Sequence, residues 1–226
     1  MKKLLLAASF LSMVAISCSK DDNGDATTEV YLNTAAGSTW RYENVDNSPG
    51  GTTTEYTRTS TSRDTMIGSR NYHVFTKSTD GSSEYNAKSG SDYFIYQALP
   101  PELGGTNVEN LYLKSASSVN ASWSQSYNIN VPGIPFAITV NLTNKLVEKG
   151  VARTVNGVNY ENVMHVKTDV GISGLPPGTV TITSDIQQYY APNYGLVEAR
   201  NKIDIDFLGT VQSTDVTTRL KTATLL

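Results

Sequence analysis

The sequence predicts an all-β fold built around one antiparallel sheet of about ten strands, and three observations support this prediction. Apolar and polar residues alternate along most of the chain after residue 29, as they do on strands with one buried face. The chain contains 27 Thr, 23 Ser, 18 Asn and 13 Tyr, a composition typical of β structure. Helical periodicity is missing after the N-terminal segment, so we expect at most one short helix, near residues 107–111.

Five segments show the alternation most clearly, and each is expected to be a strand that buries one face. The residues expected on the buried faces are Trp123, Gln125, Tyr127, Ile129 and Val131; Phe136, Ile138, Val140, Leu142 and Leu146; Val158, Tyr160, Met164, Val166 and Val170; Val180, Ile182, Ile186 and Tyr190; and Val197, Ala199, Ile203, Ile205 and Phe207. Such half-polar strands indicate an antiparallel sheet, because parallel strands are covered on both faces. Asn156-Gly157 predicts a tight hairpin. The segment 51–62 is polar on both faces, which predicts an edge strand or a projecting hairpin.

The first seventeen residues have the pattern of a signal peptide. Lys2 and Lys3 precede an apolar stretch, residues 4–16, which as a helix would span roughly 20 Å and fall short of the ~30 Å bilayer core. Ala15-Ile16-Ser17 then leads into Cys18, the only cysteine. This run resembles the lipobox of bacterial lipoproteins, which implies cleavage before Cys18 and acylation of its side chain. The alternative is an ordinary signal peptide followed by an unmodified cysteine.

Residues 18–28 are expected to be the lipidated cysteine and a flexible acidic tether. Residues 19–25 (SKDDNGD) contain no apolar side chain, which suits a solvated linker. The acidic run also resembles the surface-export signal of Bacteroidetes lipoproteins. The predicted order is a signal peptide at 1–17, the tether at 18–28 and a β domain at 29–226. The resemblance implies a protein anchored in the outer membrane and facing the cell surface, with the periplasmic face as the alternative.

Composition and charge exclude several classes of function. Without residues 1–17 the chain keeps 16 basic and 21 acidic side chains, a balance of −5, so a nucleic-acid binder is not expected. A single cysteine excludes internal disulfides and cysteine-rich metal sites, and neither a metal nor another cofactor is predicted. The sequence also lacks the nucleophile elbow, the phosphate-binding loop and the dinucleotide-binding motif. We therefore predict no catalytic residues and no enzymatic activity.

Two histidines and one pair of aspartates are the remaining candidates for chemistry. His73 and His165 are expected to be solvent-facing or cross-strand polar residues, with catalysis or metal binding as the alternative. Asp204 and Asp206 are two residues apart, which on a strand places their carboxylates on one face, roughly 7 Å from each other. Glycoside hydrolysis uses carboxylates ~5–9 Å apart. The pair nevertheless alternates with apolar residues, as the exposed face of a strand does.

Three short motifs resemble Bacteroidetes lipoproteins of unknown function, some of which are similar to half-barrel lipoproteins of the LolA/LolB type. The motifs are Trp40-Arg41-Tyr42, residues 157–163 (GVNYENV) and residues 189–197 (YYAPNYGLV), in this order. The resemblance extends over residues 35–210. It implies that the antiparallel sheet is strongly curved, as a half-barrel or an open barrel, and that it can enclose an apolar ligand.

Candidate ligand-binding residues come from apolar connections and from large aromatic side chains. Leu99, Ile134 and Leu175 belong to three apolar, proline-containing connections, which would form an apolar rim if they converge at one end of the sheet. The alternative is that these side chains plug the end of the barrel. Trp40 and Trp123 would supply a stacking platform for a sugar if exposed, and core packing if buried.

The favoured function is that of a lipid-anchored, non-enzymatic cell-envelope protein that binds a ligand or a partner. One alternative is a carrier of a lipid or another hydrophobic molecule in a half-barrel cavity. The other is a surface lipoprotein that binds or hydrolyses polysaccharide. The expected partners are the membrane, through the lipid anchor, and a hydrophobic or glycan ligand. The sequence leaves the oligomeric state open.

Overall fold

The computed structural model describes residues 29–99, 105–130, 137–176, 178–207 and 209–226. Segments rich in Thr, Tyr and Val form strands within these ranges, because β-branched and aromatic side chains fit the half-buried surface of a sheet. The strands are β1 (Thr39–Asp46), β2 (Thr53–Ile67), β3 (Arg70–Lys77), β4 (Ser83–Ser89), β5 (Asp92–Ala98), β6 (Asn107–Lys114), β7 (Ser122–Ile129), β8 (Ile138–Val155), β9 (Val158–Ser173), β10 (Val180–Ala191), β11 (Gly195–Phe207) and β12 (Thr210–Thr224).

All twelve strands belong to one sheet in which neighbouring strands are antiparallel, in the order β6-β5-β4-β3-β2-β1-β12-β11-β10-β9-β8-β7. The sheet curls until its edge strands, β6 and β7, face each other, which gives a nearly closed barrel. The predicted all-β class and the single, strongly curved antiparallel sheet are confirmed, with twelve strands in the described ranges instead of about ten. None of the residues described above forms a helix long and apolar enough to cross a bilayer.

Two local predictions are wrong, and both concern polar strands. Residues 107–111 are not a helix but part of β6, which pairs with β5. The segment 51–62 is not at an edge, because most of it lies in β2 between β1 and β3. β2 is polar on both faces because its inward-facing residues, which include Tyr56 and Arg58, line a polar interior. Alternation of polar and apolar residues therefore cannot identify its buried face.

The predicted Asn156-Gly157 hairpin is confirmed. Val155 and Val158 form the last pair of β8 and β9, so the connection has two residues, with φ angles of 48° and 81°. Positive φ at both central positions is the geometry of a type I′ turn, which Asn-Gly adopts with little strain. The Asn156 side chain also donates a hydrogen bond of 3.1 Å to the Leu220 carbonyl, which fastens the hairpin to β12.

The alternating strand directions give the barrel two distinct ends. One end, which we call the loop end, carries the connections β1–β2, β3–β4, β5–β6, β7–β8, β9–β10 and β11–β12. We call the opposite end of the barrel the tethered end. Residues 29–38 lead into β1 at the tethered end. There the Asn193 N–H donates to the Val30 carbonyl at 2.7 Å, and the Tyr31 N–H donates to the Tyr93 hydroxyl at 3.1 Å. Tyr31 and Leu32 are buried, so the chain that arrives from the N terminus is packed into the barrel.

Three hydrophobic clusters stabilise the sheet. The main core includes six side chains without any exposed surface, Trp40, Tyr93, Leu113, Leu146, Met164 and Leu220. A second cluster contains Ile129, Ile138 and Val140, near the loop end. A third cluster packs Tyr72, Ala87 and Phe94 together on the opposite face of the sheet from the main core. Because Phe75 belongs to the main core and Tyr72 to the third cluster, both faces of β3 are buried.

Side chains, instead of a backbone ladder, join the edge strands β6 and β7 along what we call the seam. Trp123 Nε1 donates to the Leu111 carbonyl at 2.7 Å, and the Leu111 N–H donates to Gln125 Oε1 at 2.5 Å. The Tyr127 hydroxyl donates to the Glu109 carbonyl at 2.7 Å. The unpaired backbone groups of an edge strand can recruit another chain. Here the side chains of β7 occupy those groups on β6.

Candidate functional site: a polar cavity inside the barrel

The curved sheet forms a partly open cavity of about 230 Å³. Its wall combines five tyrosines, five amides, one threonine, one ion pair and a few small or aliphatic residues: Tyr31, Tyr42, Tyr56, Tyr112, Tyr190, Asn86, Gln97, Asn110, Gln188, Asn201, Thr218, Arg58, Glu84, Leu32, Ile95, Leu196, Ala199 and Gly195. Pockets for drug-sized molecules begin at ~300 Å³. The cavity therefore suits a small molecule, and its lining is mostly polar or aromatic.

Arg58 places a positive charge in the cavity wall, with 9% of its side chain exposed. It points inward because it is the ladder partner of Trp40, which faces the core. Its guanidinium carbon lies 3.5 Å from the Phe75 ring centroid and 5.2 Å from that of Trp40, so two aromatic rings hold it in place. Arg58 Nε is 2.7 Å from Glu84 Oε1, but its N–H does not point at that oxygen and makes no hydrogen bond.

Glu84 is the negative partner of Arg58. Its Oε1 accepts a hydrogen bond of 2.9 Å from Asn86 Nδ2, and its Oε2 lies 3.4 Å from Lys77 Nζ. Burial by itself would raise the pKa of the Glu84 carboxyl, but Arg58, Lys77 and the Asn86 hydrogen bond outweigh burial and hold that pKa below its ordinary value. Glu84 is therefore ionised at neutral pH, and the cavity wall carries one positive and one negative charge, with the partly exposed Lys77 beside them.

Two pairs of tyrosine rings form much of the cavity wall. Tyr42 and Tyr56 are stacked with ring centroids 5.3 Å apart, and Tyr112 and Tyr190 lie 5.1 Å apart. The Tyr42 hydroxyl donates a hydrogen bond of 2.8 Å to the Leu196 carbonyl. Burial raises the pKa of all four hydroxyls above the ordinary value of 10. The hydroxyls therefore stay protonated at physiological pH and can donate hydrogen bonds.

Two buried atoms of the cavity residues have no hydrogen-bond partner among the described residues, Arg58 Nε and Asn110 Oδ1. One is a donor and the other is an acceptor. A buried polar group without a partner costs roughly 1–3 kcal/mol. Neither atom has accessible surface, so a molecule in the cavity does not contact them. The wall residues with accessible surface, which include Gln97, Gln188 and Asn201, offer amide donors and acceptors, and binding of a polar molecule is the chemistry that they support.

Leu99 and Leu175, from two of the three predicted apolar connections, lie at the loop end, because each follows an odd-numbered strand. Leu99 is 7% exposed and belongs to the second cluster, and Leu175 is half-buried and packs against the same cluster. Ile134 lies outside the described residues, as does Cys18. The structure thus brings Leu99 and Leu175 to one apolar cluster, and neither residue lines the cavity.

The two tryptophans are buried at different places. Trp40 has no exposed surface and packs in the main core against Phe75 and Arg58. Trp123 is 9% exposed and lies at the seam, where its ring nitrogen is bonded to β6. Neither side chain is part of the cavity wall, and the two do not form an exposed platform.

Sequence patterns did not reveal a hydrogen-bonded chain of Ser60, His73 and Asp64. Ser60 Oγ lies 2.8 Å from His73 Nε2, and His73 Nδ1 lies 2.8 Å from Asp64 Oδ1, which is the order of a catalytic triad. Ser60, however, is only 1% exposed, so a substrate carbonyl cannot reach its hydroxyl. The three residues flank the irregularity in the β2–β3 ladder. We conclude that they brace this irregularity and that the arrangement is structural.

The other candidates for chemistry are also explained by local structure. His165 is a cross-strand residue: its Nδ1 lies 3.2 Å from Glu148 Oε2, and its ring stacks on Tyr189 with centroids 4.2 Å apart. Asp204 and Asp206 are half-exposed on β11, and Asp206 Oδ1 accepts a hydrogen bond of 2.8 Å from the Gly209 N–H. In the described part of the chain, no three His, Cys, Asp or Glu side chains are grouped so that they could hold a metal ion.

Fold and site together define a nearly closed antiparallel barrel with a small polar interior. No family model matches the chain, and no curated protein matches it. Among solved structures the chain is similar to a candidate lipoprotein from Parabacteroides distasonis, with a TM-score of 0.50 and 13% identity, over 87% of this chain and 99% of that chain. It is also similar to a candidate exported protein with a YmcC-like fold from Bacteroides fragilis, with a TM-score of 0.44 and 11% identity, over 87% and 99% of the two chains.

The likeness to the Parabacteroides protein shows a shared fold, because the identity is too low to carry more. The Parabacteroides protein comes from the Bacteroidetes, the group whose lipoproteins the sequence motifs resemble. Neither solved structure is described as a protein of the LolA/LolB type, so that part of the resemblance stays an expectation.

Proposed function

We propose that the chain is a lipid-anchored, non-enzymatic protein of the bacterial cell envelope that binds a small polar ligand inside its barrel. The envelope part of the proposal is supported by the signal-peptide pattern and by the run that ends at Cys18. It is also supported by the Parabacteroides protein of the same fold, which is described as a candidate lipoprotein. With the acidic residues at 19–25, an outer-membrane anchor and a domain at the cell surface follow.

The ligand part of the proposal is carried by one observation, the Arg58–Glu84 ion pair in a cavity wall that also contains five side-chain amides. Taking charges out of water costs several kcal/mol per ion, and well-packed apolar residues often stabilise a protein as well as a buried ion pair does. A barrel that served only as a spacer would be expected to fill its interior with apolar side chains. A polar interior is what a binding site for a polar molecule needs.

The alternative functions receive less support. An acyl chain in the cavity would cover Arg58 and Glu84 with groups that cannot form hydrogen bonds, which is costly for buried charges. A carrier of lipids is therefore the weaker candidate. A long glycan would need an extended aromatic surface, whereas Trp40 and Trp123 are both buried. Glycoside hydrolysis through Asp204 and Asp206 is also weaker, because Asp206 is engaged in the turn after β11.

Native mass spectrometry of the full chain, isolated from envelope membranes in a mild detergent, tests the proposal. We expect two added masses, one of acyl chains that disappears in C18S and one of a small molecule that persists in C18S. R58K changes the cavity wall, where the Arg58 side chain is 9% exposed, and R41K is the matched control on the surface, where the Arg41 side chain is 56% exposed. R58K should lose the small molecule and R41K should keep it. A chain without any small-molecule mass, or equal occupancy in both variants, would contradict the proposal.

A further inference from the structure

We infer, on the basis of the proposed binding function, that the cavity is the inner half of a larger site and that the ligand enters it through a gap in the sheet between β4 and β5. The ligand is then a polar molecule longer than the cavity, with one part inside the barrel and one part in the gap. Three features define the gap: the end of the β4–β5 ladder, the residues that line it and the hairpin that covers it.

The ladder between β4 and β5 ends before either strand does. Tyr85 and Tyr96 form its last pair towards the loop end. Beyond this pair, residues 83–84 of β4 pair with β3, whereas residues 97–98 of β5 pair with β6. Strands that are bonded to each other lie about 4.8 Å apart and leave no passage between them. Because β4 and β5 follow different neighbours here, the sheet opens between them.

A space of about 580 Å³ lies in this gap, and residues from both faces of the sheet line it. Lys77 and Glu84 belong to the inner face, where Lys77 Nζ lies 3.4 Å from Glu84 Oε2 and 5.8 Å from the ring centroid of Tyr56 in the cavity wall. Tyr85 and Tyr96 belong to the outer face, where they pack against the third cluster. A space lined by side chains of both faces passes through the sheet.

The gap adjoins the cavity. Glu84, Ile95 and Gln97 line both spaces. Gln97 is exposed although it is part of the cavity wall, so solvent reaches the inner face of β5 beside the gap. Pockets for drug-sized molecules begin at ~300 Å³, which the cavity does not reach alone but exceeds together with the gap.

The chemistry of the gap resembles that of the cavity. Hydroxyl and amide groups line it, together with two half-buried tyrosine rings: Thr65, Ser82, Ser83, Gln97, Asn107, Tyr85 and Tyr96. These groups offer donors and acceptors for hydrogen bonds. A polar molecule therefore suits both halves of the site.

The β2–β3 hairpin covers the outer side of the gap. Thr65 and Ile67 of β2 line the gap. Arg70, the first residue of β3, has its Nε 2.9 Å from Glu109 Oε2 on β6, and its guanidinium carbon lies 3.4 Å from the Phe94 ring centroid on β5. These contacts hold the hairpin against the outer face of β5 and β6, so the outer half of the site is formed before any ligand binds.

The test measures how fast a thiol in the cavity is reached from solution. The full chain carries C18S, which removes the native thiol, and Q188C, which places a cysteine in the cavity wall. A parallel chain carries N128C instead, on the exposed face of β7. The probe is 2-hydroxyethyl methanethiosulfonate, a small neutral reagent: the thiolate attacks its sulfenyl sulfur, methanesulfinate leaves, and mass spectrometry follows the mixed disulfide.

A98W and S83W narrow the gap, because both residues line it and are exposed. S124W is the matched control, since Ser124 is exposed on the outer face of β7. A gap filled to the density of a protein interior admits nothing larger than water, so A98W and S83W should each slow the labelling of Q188C about tenfold. S124W should not change that rate, and no variant should change the labelling of N128C. Circular dichroism should show the wild-type melting temperature in A98W and S83W.

Slower labelling of Q188C in either gap variant supports this route. The S124W rate in both of them would overturn it, and so would a Q188C thiol that the reagent never reaches. In the native mass experiment A98W should also lower the occupancy of the small molecule, whereas S124W should keep it; equal occupancy would overturn the outer half of the site. A chain without any small molecule contradicts the proposed function, while the labelling rates, which need no ligand, still decide the route.

Discussion

Removing the amide of Gln125 tests whether side chains close the seam between β6 and β7. In Q125L the Leu111 N–H loses the acceptor that lies 2.5 Å away, while the Glu109 carbonyl keeps its bond from Tyr127. One N–H on a half-buried residue is thus left unpaired, for which we expect a loss of about 1.5 kcal/mol in the free energy of unfolding. For a domain of about 200 residues this lowers the melting temperature by about 3–6 °C.

The assay combines thermal unfolding, followed by circular dichroism, with amide hydrogen exchange at Leu111. In the wild type this edge-strand amide should be protected, and in Q125L its exchange should be about tenfold faster, which corresponds to the same free energy. S124A is the matched control, because Ser124 Oγ bonds only the exposed Thr143 hydroxyl, at 3.0 Å, on the outer face of β7. Its stability should change by less than about 0.5 kcal/mol.

A second variant isolates the role of the acceptor. In Q125E a carboxylate oxygen can still accept from the Leu111 N–H, whereas the donation from Gln125 Nε2 to the Glu109 carbonyl, at 3.2 Å, is lost. Q125E should therefore keep more of the Leu111 protection than Q125L. If Leu111 exchanges in the wild type as fast as an unprotected amide, or if Q125L is as stable as S124A, the side-chain closure of the seam is refuted.

Three further predictions concern ionisation and the serine–histidine chain. Burial raises the pKa of Tyr42, Tyr56, Tyr112 and Tyr190. The free energy of unfolding that these protonated side chains contribute is therefore fully present below pH 10 and falls as the pH rises further. An absorbance titration at 295 nm should show these tyrosines ionising only as the protein unfolds. The Arg200 hydrogen bond lowers the pKa of Asp215 from 3.8 to about 2. The free energy of unfolding that this bond contributes above pH 4 is therefore lost as the pH falls towards 2, and after solvent screening the loss is less than about 1 kcal/mol. Urea unfolding of R200Q should not show this loss. S60A and the wild type should hydrolyse p-nitrophenyl acetate at the same rate, since the Ser60 hydroxyl is buried, and a slower S60A would restore a catalytic role.

The fold class could be predicted from the sequence because alternation fixes which residues share a strand face. Ile138, Val140 and Leu146 are buried on β8 as their spacing requires, and Asn156-Gly157 makes the turn that its residue types favour. The exceptions come from strands whose inward face is polar or whose two faces are both buried. On β3, Tyr72 and Val74 are buried on one face, and on the other face Phe75 is fully buried and the His73 side chain is only 13% exposed.

The cavity could not be predicted in the same way. Its residues come from eight strands and from the segment before β1, and only the curvature of the sheet brings them to one place. Arg58 and Glu84 lie in polar segments that look exposed, because a charged residue on a strand usually faces water. The one local signal is that Arg58 is two residues from Tyr56 and so shares its face.

The N-terminal segment enters the barrel at the tethered end, so this is the end that a membrane anchor at Cys18 would hold nearer to the bilayer. Ten residues separate Cys18 from Glu29, and even a fully extended chain of ten residues reaches only about 35 Å. If Cys18 carries the lipid anchor proposed above, the tethered end stays within about 35 Å of the bilayer surface, and the loop end with its cluster around Leu99 is the part of the barrel that can lie farthest from the lipid. The C terminus is at the near end, since the Leu226 N–H bonds the Ser38 hydroxyl beside β1. A tag in the β1–β2 connection would then face the medium, whereas a tag after Leu226 would lie against the membrane.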